Sequence, residues 1–145
     1  MADLNRNIDV VRRLEDVYRR RDYTELSGLV SEGLVAHTPG AEWPQSHEAL
    51  EVNNEGWHSA FPDRRTEMED VFGEGDRVVA SIHMTGTNTG GLPWLGIPAN
   101  DAPVDFRWIQ ISRHDDDGKI AETWAQIESV KLMQQLGAMP GPEGM

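Results

Sequence analysis

The five histidines of this chain are the side chains that exchange protons near neutral pH, so acid–base chemistry is sought there first. His37 ends a short apolar run, Leu34-Val35-Ala36, and is the leading candidate for a general acid or base. His83 lies with Ser81, Thr85 and Thr87 on the polar face of an alternating segment. His47 and His58 fall on a helical stretch, and His114 precedes an acidic turn and is expected to be exposed. No His-x-His or His-x3-His pair occurs, and no Glu-flanked zinc motif, so no metal site is predicted. Asp115-Asp116-Asp117-Gly118 reads as a hairpin turn rather than a cation loop. No glycine-rich phosphate loop follows a strand and no serine stands in a nucleophile elbow, so neither a nucleotide cofactor nor a serine nucleophile is expected. The absence of cysteine excludes disulfide and thiolate chemistry.

Aromatic residues supply the binding surface. There are five tryptophans, enough to line a flat pocket. Trp57 and Trp108 are the expected walls, Trp43 and Trp94 lie in expected loops that suit a lid, and Trp124 is expected to be structural. Leu50, Asn53 or Asn54, Trp57 and Phe61 form one helical stripe. An asparagine in such a stripe needs a partner from protein, water or ligand.

The elements that position these residues divide the chain in half. Helical spacing predicts a first helix over residues 7–21, capped by Asn7 and buried through Ile8, Val11, Leu14 and Val17/Tyr18. A short helix over 23–30 and an extended segment over 34–37 follow, closed by Thr38-Pro39-Gly40. A third helix begins at Ser46 and ends before Pro62. Beyond it the pattern alternates. Strands are predicted over 67–72, 77–89, 104–114 and 119–127, with turns at 73–76 and 115–118 and a Gly/Pro-rich loop over 90–103. Phe106, Trp108, Gln110 and Ser112 share one face of the third of these strands. A final helical turn over 129–136 stops at Gly137. Helices first and antiparallel strands after predict an α+β domain spanning 1–145, with an irregular tail over 139–145.

Charge narrows the partners. A net charge of −12 repels phosphate backbones, so no nucleic-acid partner is expected. No apolar run spans a bilayer and the N-terminal stretch is charged, so no membrane contact is expected and a cytoplasmic location is.

Four stretches taken together resemble the SnoaL-like polyketide cyclases of the nuclear-transport-factor-two-like fold. They are Ala60-Phe61-Pro62-Asp63, Gly73 to Val79 leading into Gly86-Thr87-Asn88-Thr89-Gly90, Leu95-Gly96-Ile97-Pro98-Ala99, and Asp117 to Trp124 followed by Leu132 to Gly137. The resemblance implies a cone-shaped barrel, with N-terminal helices packed on a curved, mostly antiparallel sheet that encloses a pocket. It implies a cofactor-independent enzyme acting on an apolar, ring-forming metabolite, working as a homodimer. It turns the Phe106/Trp108/Gln110 face inward and brings His37 near the pocket. The outer face, with His83, Thr85 and Thr87, then suits a dimer interface.

In the aldol cyclases that this chain resembles, a histidine on the penultimate strand works with an aspartate on the last. The matching positions here are Gln110 and Ala125, and Thr123 stands two residues before the latter. Alanine transfers no proton, so the expected site is a different one. His37 serves as acid or base, and Gln110 with Asn53 or Asn54 hydrogen-bonds a carbonyl or enolate oxygen. Trp57, Phe61, Phe106, Trp108, Thr123, Ala125, Trp43 and Trp94 surround the substrate. Intramolecular cyclisation or isomerisation is the leading reaction. A cofactor-free hydroxylation, in which the substrate itself activates oxygen, and a non-catalytic binding module are the alternatives.

Overall fold

The computed structural model describes residues 3–38 and 41–141, with the side chains of 41–44 left aside. The first helix, α1 (Leu4–Arg20), starts earlier than the spacing suggests. Asp3 is its cap, its carboxylate accepting from the Arg6 N–H at 3.1 Å. Asn7, the expected cap, is instead buried inside the first turn at 1% exposure. Val10, Val11, Leu14 and Val17 form the buried stripe, and Arg21 ends the helix in the left-handed region at φ 57°. A single turn, α2 (Leu26–Leu29), leads into β1 (Val30–Thr38).

β2 (Ala41–Gln45) pairs antiparallel with β1, Trp43 lying opposite Ala36 in the register. The sequence reading has no strand here, because Pro44 and the short run hide the alternation. Its turn at 38–40 falls partly outside the described residues. α3 (His47–Ala60) begins as read, the Ser46 hydroxyl accepting from the Ala49 N–H at 3.0 Å. β3 (Arg65–Glu74), β4 (Arg77–Thr87), β5 (Pro103–His114) and β6 (Ile120–Ile127) follow, and α4 (Ser129–Gln135) closes the chain. Gly137 ends α4 at φ 76°, with its N–H on the Gln134 carbonyl and the Ala138 N–H on the Met133 carbonyl.

The six strands form one sheet in the order β2-β1-β6-β5-β4-β3. Only β1 and β6 pair in parallel. The cone is open strand to strand, with β2 and β3 as its edges. The helices cover the inner face. α1 and α2 bury an aliphatic cluster against Val78, Ala80 and Ile82 of β4. Toward the other end, Phe61, Met84, Leu92, Val104 and Phe106 pack with Leu132 of α4 and with Leu136, the residue that caps it. The 88–102 loop is tied to α3 at Gly90, whose N–H donates to the Ala60 carbonyl at 3.1 Å. A side chain at Gly90 would overlap the Ser59 carbonyl, so only glycine permits this approach.

His114 is corrected by the fold. It is 3% exposed, its Nδ1–H donating to the Gly118 carbonyl at 2.8 Å while Nε2 accepts from the Ser112 hydroxyl at 2.9 Å. Asp115 Oδ1 ties the turn by accepting from the Asp117 and Lys119 N–H groups, which folds the hairpin over the imidazole.

Candidate functional site

Between the helices and the inner face of the sheet lies a cavity of about 220 Å³. Strand alternation decides what lines it. From β5 come Phe106, Trp108 and Gln110, from β6 Thr123, Ala125 and Ile127, and from β1 Leu34, Ala36 and Thr38. α3 contributes Leu50, Asn53, Asn54 and Trp57, while Leu14 and Tyr18 of α1 close the far side.

The register explains how Gln110 is presented. It pairs with Ala80 on β4 and with Ala125 on β6, so small residues flank it on both sides. Its amide, like that of Asn53, reaches the cavity with no hydrogen bond to another described residue. Trp57 and Phe106 approach at 6.1 Å between ring centroids, and Phe106 and Trp108 at 6.3 Å, giving one tilted aromatic wall.

His37 does not join this site. Ala36 and Thr38 point inward, so His37 between them points out. Its Nε2–H donates to Glu122 Oε2 at 2.7 Å, and its ring stacks on Trp124 at 5.2 Å with 4° between planes. Arg113 donates to the other Glu122 oxygen at 3.1 Å. The hydrogen bond from His37, then that from Arg113, holds the Glu122 carboxyl below its ordinary range. The expectation that His37 serves as acid or base inside the pocket is corrected by this geometry.

Two aromatic assignments also change. Phe61 is fully buried behind Trp57, 6.0 Å away, and belongs to the core rather than the cavity wall. Trp94 lines a neighbouring groove with Ser46, Asn53 and Gly56, where its ring meets Trp57 edge-on at 5.3 Å. The side chain of Trp43 lies outside the described residues. The remaining histidines are anchored elsewhere: His47 to the Val30 carbonyl, His58 to the Tyr18 carbonyl and His83 to Asp105. Among the described residues, no three His, Asp or Glu side chains are grouped to hold a metal ion.

The residue that the sequence reading missed is Arg64. It follows the helix-ending Pro62-Asp63 pair and enters the cavity beneath α3. Its Nη1 donates to Asn54 Oδ1 at 3.1 Å. Asn54 in turn donates to the Tyr18 carbonyl at 2.9 Å and the Tyr23 hydroxyl at 2.8 Å, and Tyr23 donates to Glu55 at 2.7 Å. Arg21 holds Glu55 from the other side, and its hydrogen bonds are the main reason the Glu55 carboxyl falls to about 2. Asn54 is therefore a satisfied structural amide, whereas Asn53 faces the cavity. The signal for Arg64 was present in the asparagine itself, since a buried amide oxygen requires a donor. Behind Arg64 stands Glu15, whose carboxyl burial pushes above its ordinary range. Burial likewise pushes the Tyr18 phenol up.

Helices packed on a curved, open sheet around an aromatic cavity define an α+β cone built to enclose a small molecule. Residues 8–136 match the family model of SnoaL-like polyketide cyclases, and the chain belongs to that family. Solved structures share the fold. AclR of Streptomyces galilaeus, a candidate hydroxylase, superposes with a TM-score of 0.80 at 24% identity, over 96% of this chain and 85% of its own. IdmH of Streptomyces antibioticus, a candidate polyketide cyclase, gives 0.75 at 24% identity over 90% and 98%. A candidate polyketide cyclase of Bacillus cereus gives 0.75 at 28% identity over 92% and 82%. No curated protein matches the chain at a significant level.

Proposed function

We propose that this protein encloses a compact, apolar, polyketide-type metabolite in the cone and closes or isomerises a ring on it without a bound cofactor. The observation that carries this reading is the aromatic cavity into which Gln110 and Asn53 present amides that bond no other described residue. At about 220 Å³ the space is below the ~300–1,000 Å³ usual for drug-sized ligands, so a two-ring substrate suits it better than a larger polycycle.

No histidine or carboxylate lines the cavity among the described residues, so the chemistry rests on orientation and on stabilising a developing oxyanion. A 1,3-dicarbonyl substrate supplies its own acidic carbon. The proton leaves to water, the enolate oxygen is held by Gln110, Asn53 and Thr123, the enolate carbon attacks a further carbonyl of the same chain, and the alkoxide so formed takes a proton back from water. Trp57, Phe106 and Trp108 hold the chain in its folded pose. A homodimer through the outer face of the sheet is part of this reading, and sedimentation equilibrium tests it.

Hydroxylation without a bound cofactor is the second reading. Gln110 and Ala125 in place of an acid–base pair favour it, as does the shared fold with AclR. Incubation with an aromatic 1,3-dicarbonyl compound that carries a further ketone within reach of the enolate carbon, in air and without oxygen, separates the two by mass. Cyclisation gives a product of equal mass, or one lacking a water, under both conditions. A product formed only in air, with one oxygen atom gained and two hydrogens lost as the second oxygen leaves in water, overturns it in favour of hydroxylation. Tight binding without conversion overturns catalysis and leaves a binding module.

A further inference from the structure

We infer that Arg64 is an anchor for a carboxylate on the ligand, so that the cavity selects apolar ring compounds bearing a free acid over their neutral esters. The inference rests on the reading of the cavity as a small-molecule site and names the ligand class that it takes.

Arg64 is the one cationic side chain on the cavity wall, and no carboxylate shares that wall among the described residues. An arginine remains protonated in a protein, so its charge persists even though burial disfavours it. Its only hydrogen bond to another described residue runs from Nη1 to the neutral Asn54 amide, and its Nε is enclosed without a partner. Glu15, which attracts Arg64 from behind, makes no direct ion pair with it. Glu15 is itself buried, one of its oxygens has no partner, and burial favours its neutral form. A guanidinium whose one hydrogen-bond partner among the described residues is a neutral amide, with its Nε enclosed and unpartnered, lacks a direct ion pair and is left short of negative charge. A ligand carboxylate supplies it, through charge-assisted hydrogen bonds to the guanidinium edge that faces the cavity.

The placement also fixes an orientation. Asn54 holds Arg64 beneath α3, while Gln110 and Ala125 lie across the cavity on β5 and β6. A carboxylate on Arg64 therefore sets the opposite end of the ligand against the Gln110 amide, with the ring between Trp57 and Trp108.

The test is calorimetric titration with 2-naphthoate and with methyl 2-naphthoate. For the wild-type chain the acid is expected to bind at least about 10-fold more tightly than the ester. Arg64→Gln should lose that preference while keeping ester affinity, and Arg64→Lys should retain part of it at reduced affinity. Thermal melts of both variants establish that they fold. The wild-type acid-to-ester ratio decides the matter even if neither variant does. An equal affinity for acid and ester, or the same ratio in wild type and Arg64→Gln, overturns the anchor and leaves the apolar cavity standing. Failure of both compounds to bind overturns the anchor and the cavity reading together.

Discussion

The two faces of one sheet divide this protein's chemistry. Outside, ionisable groups are paired and stacked: His37 with Glu122 and Arg113, His83 with Asp105, Arg107 with Glu69. Inside, the same strands present Trp108, Gln110, Thr123 and Ala125, with Arg64 below as the cation. One residue of register separates His37 from the cavity, because neighbouring positions on a strand face opposite ways. The presence of a titratable side chain on the right strand is therefore not enough, and its parity decides whether it can reach a substrate.

The largest expected difference between inside and outside is in stability. Phe61→Ala removes a fully buried ring and should cost about 3–5 kcal/mol by urea denaturation. His37→Ala removes a partly buried pair on the outer face and should change stability by about 1 kcal/mol. A comparable loss in the two variants would break the comparison. Asn54→Ala should fall between them at about 1–3 kcal/mol, since it strips a partner from the Tyr18 carbonyl and from Arg64.

Gln110→Leu sharpens the comparison from the functional side. Its amide bonds no other described residue, so the variant should fold within about 1 kcal/mol of wild type. It should bind methyl 2-naphthoate about 10-fold more weakly, for loss of a hydrogen bond to the ester carbonyl, which turns to Gln110 when no carboxylate draws that end to Arg64. Unchanged affinity would remove Gln110 from the site.

The smallest effect is one of pH. Burial holds the His114 imidazole below its ordinary value of about 6.5, and does the same to His58. The unfolded chain therefore takes up these protons first. The contribution is complete above about pH 6.5 and is lost as pH falls from there toward the lower folded-state values. His114→Gln should flatten that part of a stability–pH curve. Glu122 acts in a separate window, its contribution being present above about 4.5 and lost below it. A curve unaltered by His114→Gln would contradict the burial of this side chain.

Most of the fold was legible in the sequence. Period-two alternation located β4, β5 and β6, and Ser46 and Gly137 marked the ends of helices as read. The inward set Phe106, Trp108 and Gln110 followed once one face was chosen. What was not legible depended on contacts distant in sequence. β2 draws its pairing from β1 rather than from its own pattern, and His114 is buried by the fold of its own turn and by Ser112. Arg64 carries no signal in its own neighbourhood, and the need of a buried asparagine for a donor does not say which residue meets it. It becomes part of the site only because Asn54, ten residues earlier, lies above it.

The most direct measurement is calorimetric titration of methyl 2-naphthoate into His37→Ala and Trp108→Ala side by side. The interior site predicts affinity within about twofold of wild type for His37→Ala, and a loss of about 10-fold or more for Trp108→Ala, which removes much of the ring surface that the ligand buries. Weakened binding in His37→Ala with Trp108→Ala unaffected would contradict it and move the site to the outer face of the sheet.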